Sequence, residues 1–245
     1  MTDELDLSLW NCLRVWDGDF PAKVRLGSPG DGGYVVVDGR LDADRLFGYG
    51  IGDNADFENE LCERWQMRGF AFDPVAPRRD LIGPQLIFVP EAVGPWPQTT
   101  PPYQATLDQQ LAAFAQDWNG EPQRVIVKMD IECGEWAALE TASDGALDRI
   151  VQLVVEWHQW TDNPTRTIRL WDRLRDAGFL LVHLHGNNYG GLVSVGGHVL
   201  PQTLEATYLR WPVRGCEAWQ IARLWPLPID RPNNPADPDL EFATP

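Results

Sequence analysis

The sequence predicts an α/β protein built on a doubly wound, mostly parallel sheet with an antiparallel last strand. Three observations predict it. From Leu46 to about Leu184, short apolar runs alternate with amphipathic helical patterns, the signature of strand–helix–strand units. Those runs end in turn at Gly48 to Gly52, Asp73, Glu91, Asp130, Glu156 with His158, and His185. In an open α/β sheet the carboxyl ends of the parallel strands share one edge, where ligands bind, so these residues are expected around one cleft. The length of 245 residues, with 44% hydrophobic and 23% charged residues, fits one globular domain with decorations. Residues 1–40 read as a helix and hairpin extension, 41–225 as the main domain, and 226–245 as a surface or mobile tail.

Apolar residues near helical spacing predict a first helix over Leu5–Val15. Lys23–Leu26 and Tyr34–Val37 read as strands joined by a glycine-rich loop, in which Asp31-Gly32-Gly33 is either a hairpin turn or a lid. Leu46–Tyr49 is the first strand of the main domain. It runs into the alternating Gly48, Gly50 and Gly52, and then a helix for which Asn54 or Asp56 is a suitable N-cap. The spacing is G-x-G-x-G, not the dinucleotide fingerprint G-x-G-x-x-G. The second strand, Gly69–Phe72, ends at Asp73, about 23 residues after Gly50, where an acid can accept from two ribose hydroxyls. Gln85–Val89 is the third strand and ends in Pro90-Glu91-Ala92. A proline-rich connection then leads to a helix from about Thr106 to Trp118.

The central stretch is Arg124–Trp136. A run buried on both faces ends in Asp130, Glu132 and Glu135 and enters a helix through Trp136 and Leu139. Ile150–Trp157 is another buried strand and ends in Glu156-Trp157-His158. The next helix, Pro164–Ala177, closes on Gly178. Phe179–Leu184 then leads into His183, His185, Asn187 and Asn188. A hairpin over Val193–Leu200 and a strand over Thr203–Trp211 complete the domain.

The formal net charge of −16 excludes a phosphate backbone or an anionic membrane as the natural partner and favours a neutral or cationic small molecule. No run approaches the roughly 20 apolar residues of a membrane span. The N-terminus lacks the order of a secretion signal, and Cys12, Cys62, Cys133 and Cys216 form no CxxC pair. Reduced thiols and a cytoplasmic location are therefore expected. Of the 12 tryptophans, Trp96, Trp136, Trp157 and Trp160 lie beside polar clusters and could wall a pocket. Nothing in the pattern fixes an oligomeric state.

Together RLGSPGDGGYVVVD, LFGYGIGDNADFE, VKMDIECGEW, LVVEWH, HLHGNN and LPQTLEATYLR resemble the FkbM-like family of S-adenosylmethionine-dependent methyltransferases, in the branch that carries a DGGY segment. The resemblance spans about Arg25 to Arg210. It implies a class I (Rossmann-like) methyltransferase fold of seven strands, one antiparallel, and O-methylation of a sugar or natural product. It implies cofactor-binding roles for Gly48, Gly50, Gly52, Asp73, Glu91, Ala92 and Asp130. Asp31, Tyr34, Glu132, Asn187 and Asn188 are the candidates to hold the acceptor, a neutral hydroxyl-bearing small molecule or glycan. One departure stands out: the family reads D-x-E-G-x-E, and here Cys133-Gly134 reverses the glycine's place.

Methyl transfer to a hydroxyl requires alignment of oxygen, methyl and sulfur and removal of a proton. His158 and His185 are the expected bases, with Glu156 as an orienting partner and Asp130 near the reacting centre. The same cluster, Asp130, Glu156, His158 and His185, with Glu132 and His183 nearby, has the donors for a divalent ion such as magnesium or manganese. Two other readings share parts of the pattern. A nicotinamide-dependent oxidoreductase would want the longer glycine fingerprint, and a non-catalytic carbohydrate-binding protein leaves the ordered acids unexplained.

Overall fold

A computed structural model of the chain describes residues 8–75, 79–116, 119–195, 197–210, 217–218 and 223–244. Its centre is one seven-stranded sheet. The strands are β1 (Arg45–Tyr49), β2 (Arg68–Phe72), β3 (Leu86–Val89), β4 (Val125–Met129), β5 (Ile150–Trp157), β6 (Phe179–Gly186) and β7 (Leu204–Arg210). Their spatial order is β3-β2-β1-β4-β5-β7-β6. The pairs from β3 to β5 are parallel, while β7 runs antiparallel to both β5 and β6. The order reverses between β1 and β4, and that switch point opens a crevice at the carboxyl edge. The mostly parallel α/β class read from the sequence is the class observed.

Among the described residues the sheet is covered by α1 (Asp56–Trp65), α2 (Leu107–Phe114), α3 (Gly134–Thr141), α4 (Asp144–Arg149) and α5 (Pro164–Asp176), and residues 8–12 are helical within the expected N-terminal helix. Alternation along β4 divides the core. Val125, Val127 and Met129 pack with α2, α3 and α5, whereas Ile126 packs with α1 and the N-terminal hairpin. That hairpin, Lys23–Gly27 against Gly33–Val37, is a layer of the fold. The buried Gln152 of β5 accepts from the Val37 N–H at 2.7 Å, and the Thr207 hydroxyl of β7 donates to the Val35 carbonyl. These bonds bring Asp31 and Tyr34 over the sheet's carboxyl edge.

Several local expectations change. The N-cap of α1 is Ala55, without a side-chain bond, because the Asn54 side chain instead accepts from the Asp56 N–H at 3.0 Å. Helix α2 opens on a Thr106–Gln109 capping box and ends at Phe114, and Trp118 lies outside the described residues. Helix α4, capped by Ser143, has no counterpart in the sequence reading. Strand β6 runs to Gly186, so His183 and His185 sit inside it and not beyond its end. Trp136, Trp157 and Trp160 are core, packed around Trp171, and do not form a pocket wall. Only Trp96 of the four is exposed. Cys12, Cys62 and Cys133 are free thiols, and Cys216 lies outside the described residues. No described helix is long and apolar enough to cross a membrane.

The expected tail is tied down. Arg223–Trp225 pairs with Phe242–Thr244, and between them Asp230 and Asn233 are buried. Asp230 meets His183 Nε2 at 2.8 Å, Asn233 donates to Glu205 at 2.6 Å, and Asp239 meets His185 Nε2 at 3.0 Å. The segment thus shields β6, an edge strand whose side chains are all buried.

Candidate functional site

At the switch point the turn after β1 crosses the ends of β2 and β4. Gly50 has φ +71°, and an added Cβ would collide with the Asp130 carbonyl. No L side chain fits there, which explains the glycine. The Gly52 N–H donates to Asp73 Oδ2 at 3.0 Å, while Asp73 Oδ1 accepts from the Val75 N–H at 2.8 Å. The aspartate carboxylate is therefore oriented before any ligand arrives. A cleft of about 530 Å³ opens over this turn. Gly50, Gly52, Asp73, Ala92, Asp130, Asp31, Tyr34 and Glu132 from the sequence reading all line it, beside Tyr49, Asn54, Phe72 and Lys128.

Two expected cofactor residues are placed differently. Gly48 lies within β1, where the missing Cβ makes room for the Glu58 side chain. Glu91 turns toward α2, where Gln110 donates to it at 2.9 Å, and it does not line the cleft.

Lys128 was not singled out from the sequence. It is buried, donates to the Gly50 carbonyl at 3.1 Å, and lies 3.6 Å from Asp130 and 3.8 Å from the buried Glu58. Burial alone would lower its pKa, but the charges of Asp130 and Glu58 outweigh that and raise it. The signal was available: a lone lysine in an apolar strand, two residues before Asp130 and so on the same face.

On the β5 side the carboxylates converge. Tyr34 is buried; its hydroxyl donates to Asp130 Oδ2 at 2.7 Å and lies 3.3 Å from Glu156 Oε2. Asn187 donates to Glu156 Oε1 at 2.8 Å. His158, just after β5, has its Nδ1 3.2 Å from Glu135 Oε1, and its backbone N–H donates to the same oxygen at 2.9 Å. Its Nε2 points at three acids: 3.5 Å to Glu132, 3.6 Å to Glu156 and 3.9 Å to Asp130. Burial would depress the His158 pKa, yet the Glu135 hydrogen bond and the charges of Glu156, Glu135 and Asp130 raise it to about 9. The acids around the ring thus favour its protonated form. Burial, with Asp130 and Glu205 adding to it, pushes Glu156 well above the usual carboxylate range.

His185, the other expected base and metal ligand, stands outside this group. Its Nδ1 lies 2.8 Å from Glu205 and its Nε2 3.0 Å from Asp239, so neither nitrogen is free. Asn188 holds the 234–238 segment, donating to the Asn234 carbonyl at 3.0 Å. Asn187 touches the acid cluster, and neither asparagine lines the cleft. Glu135, whose side chain is fully buried and which reached the sequence reading only as part of the acidic turn, proves to be the partner that orients His158.

The turn from β4 to α3 carries strain. Glu132 and Cys133 have φ +54° and +75°, a region non-glycine residues seldom occupy. Cys133 takes the left-handed N-cap position, and the neighbouring Gly134 is helical.

No protein-family model and no curated protein matches the sequence. Among solved structures, precorrin-6y C5,15-methyltransferase from Geobacter metallireducens is similar at 13% identity and a TM-score of 0.38, over 69% of this chain and 82% of that one. A putative hemolysin from Streptococcus thermophilus is similar at 11% identity and a TM-score of 0.37, over 69% and 60%. The putative tRNA (m1A22) methyltransferase Sp1610 of Streptococcus pneumoniae is similar at 14% identity and a TM-score of 0.34, again over 69% of this chain and 64% of that one. This chain spans less than two thirds of the latter two. At such identities and TM-scores no activity passes from them to this chain.

Proposed function

We propose that the protein is an S-adenosylmethionine-dependent methyltransferase acting on a hydroxyl of a neutral small molecule or glycan. The observation that carries this reading is the cleft at the β1/β4 switch point, with the Gly50 turn on its floor and the Asp73 carboxylate on its wall. A carboxylate is acceptor-only and can bind both ribose hydroxyls of the cofactor. The flat walls of Tyr49 and Phe72, stacked at 4.7 Å, lie beside it, and Lys128 fixes the turn from below. A bound S-adenosylmethionine would supply an electrophilic methyl group to the acceptor oxygen, and Glu132 at the exposed rim would take the hydroxyl proton. The net charge of −16 supports a neutral acceptor over a nucleic acid.

Calorimetric titration with S-adenosylhomocysteine, with NAD as the control ligand, tests the reading. The expected result is binding of the former only, weakened in Asp73→Ala by roughly ten- to a hundredfold, the cost of losing about 1.5–3 kcal/mol of charged hydrogen bonding. An unchanged dissociation constant in Asp73→Ala would remove the ribose assignment, and binding of NAD alone would replace the reading with redox chemistry.

A further inference from the structure

We propose that Asp130, Glu156 and His158 form a divalent-cation site at the β4–β5 end of the cleft, where the cation holds the acceptor hydroxyl oxygen. One ligand atom from each residue lies within 4.8 Å of the other two. The distances themselves discriminate. A protonated imidazole paired directly with a carboxylate sits at about 2.7–2.9 Å. Here Nε2 stands 3.6 Å from Glu156 Oε1 and 3.9 Å from Asp130 Oδ1, and it makes no hydrogen bond to either. Two donors that share one ion, each about 2.1 Å from it, are separated by roughly 3–4 Å.

The surroundings are built to aim the donors. Glu135 takes Nδ1 of His158, leaving Nε2 directed inward, as carboxylates do behind metal-bound histidines. Tyr34 holds Oδ2 of Asp130 and lies against Oε2 of Glu156, so Oδ1 and Oε1 face the histidine. Asn187 donates to that same Oε1 of Glu156 at 2.8 Å and holds it in place. Glu135, which meets the ring through Oε1, is completely buried, and its Oε2 has no hydrogen-bond donor among the described residues. Four carboxylates, Asp130, Glu132, Glu135 and Glu156, surround the single imidazole within 4.0 Å of its nitrogens. Even with Lys128 beside Asp130 and a protonated ring, the group keeps an excess of negative charge, which a divalent ion would offset. Oxygen donors with one imidazole suit magnesium or manganese better than a thiolate-seeking metal.

Three protein ligands leave positions open on the side where Asp130 and Glu132 line the cleft. A hydroxyl oxygen bound there would lose its proton more readily, with Glu132 beside it. This role rests on the methyl-transfer reading, whereas the cation site itself does not.

Manganese is the probe, and the full chain, stripped with chelator and desalted, is the sample. The free-ion electron paramagnetic resonance signal should fall by one manganese per chain, and magnesium should compete. Glu156→Gln and His158→Gln should each weaken manganese binding at least tenfold while keeping the parent's S-adenosylhomocysteine affinity within about twofold. Circular dichroism and that retained affinity confirm that the variants fold. No manganese binding by the parent up to about 1 mM, the weak end of biological divalent-ion sites, overturns the proposal. So does unaltered manganese binding in both variants. Titrating the parent with S-adenosylhomocysteine separates the two readings. Manganese binding without cofactor binding keeps the cation site and removes its role in methyl transfer. Cofactor binding without manganese binding removes the cation site alone.

Discussion

On the β1–β2 side of the carboxyl edge the surface offered to a ligand is mostly backbone, whereas on the β5–β6 side it is side-chain charge. The first side is a glycine turn whose N–H at Gly52 orients Asp73, under a cleft of about 530 Å³. The second is a row of ionisable groups in which β5, β7 and β6 set Glu156 opposite Glu205, and Glu205 opposite His185. Within that row the two histidines differ. Carboxylates at hydrogen-bond distance occupy both nitrogens of His185, while His158 has one nitrogen so held and the other directed at three acids it does not bond. Saturated charges hold structure, and unmatched ones are available to a ligand. A histidine's position near a strand end does not reveal which kind it is.

The sharpest way to break this contrast is His185→Ala. It leaves Glu205 and Asp239 buried or half-buried without their cation, so chemical denaturation should register a loss of about 3–5 kcal/mol. Affinity for S-adenosylhomocysteine, read on the folded fraction, should stay near the parent's. If His185→Ala lost cofactor or manganese binding with little loss of stability, His185 would belong with His158 after all.

A gentler test uses pH. Burial would lower the His185 pKa, but Glu205, Asp239 and Asp230 raise it to about 10. A histidine with a folded pKa above its unfolded value near 6.5 contributes fully below that value and loses its contribution as pH climbs toward 10. The stability gap between parent and His185→Ala, from urea melts, should therefore be widest at pH 6 and shrink steadily to pH 10. A gap independent of pH would mean that His185 acts through packing and not through charge.

The smallest effect is expected at the turn between the two sides. Cys133 occupies a left-handed position that glycine adopts without penalty. Cys133→Gly should raise stability by up to about 1 kcal/mol, visible as a small rise in melting temperature. A fall would show that the cysteine side chain holds the turn.

The sequence by itself determined the sheet. Apolar runs of strand length alternating with helical periods dictate parallel strands with shared carboxyl ends, because burial on both faces and right-handed crossovers leave few other arrangements. It also marked the glycine-turn side of the cleft, since Gly50 and Gly52 form a turn local in the chain and Asp73 directly follows its strand. Only the tertiary structure decided the partners of the charged groups. Glu135 reaches His158 across 23 residues, Asp239 reaches His185 across 54, and Asn233 reaches Asp31 across 202. Such pairings depend on how the hairpin and the 226–244 segment fold over the β5–β6 end, and no local pattern carries that information. Trp136, Trp157 and Trp160 follow the same rule: beside polar residues in the chain, they are buried because they pack around Trp171, a partner distant in sequence.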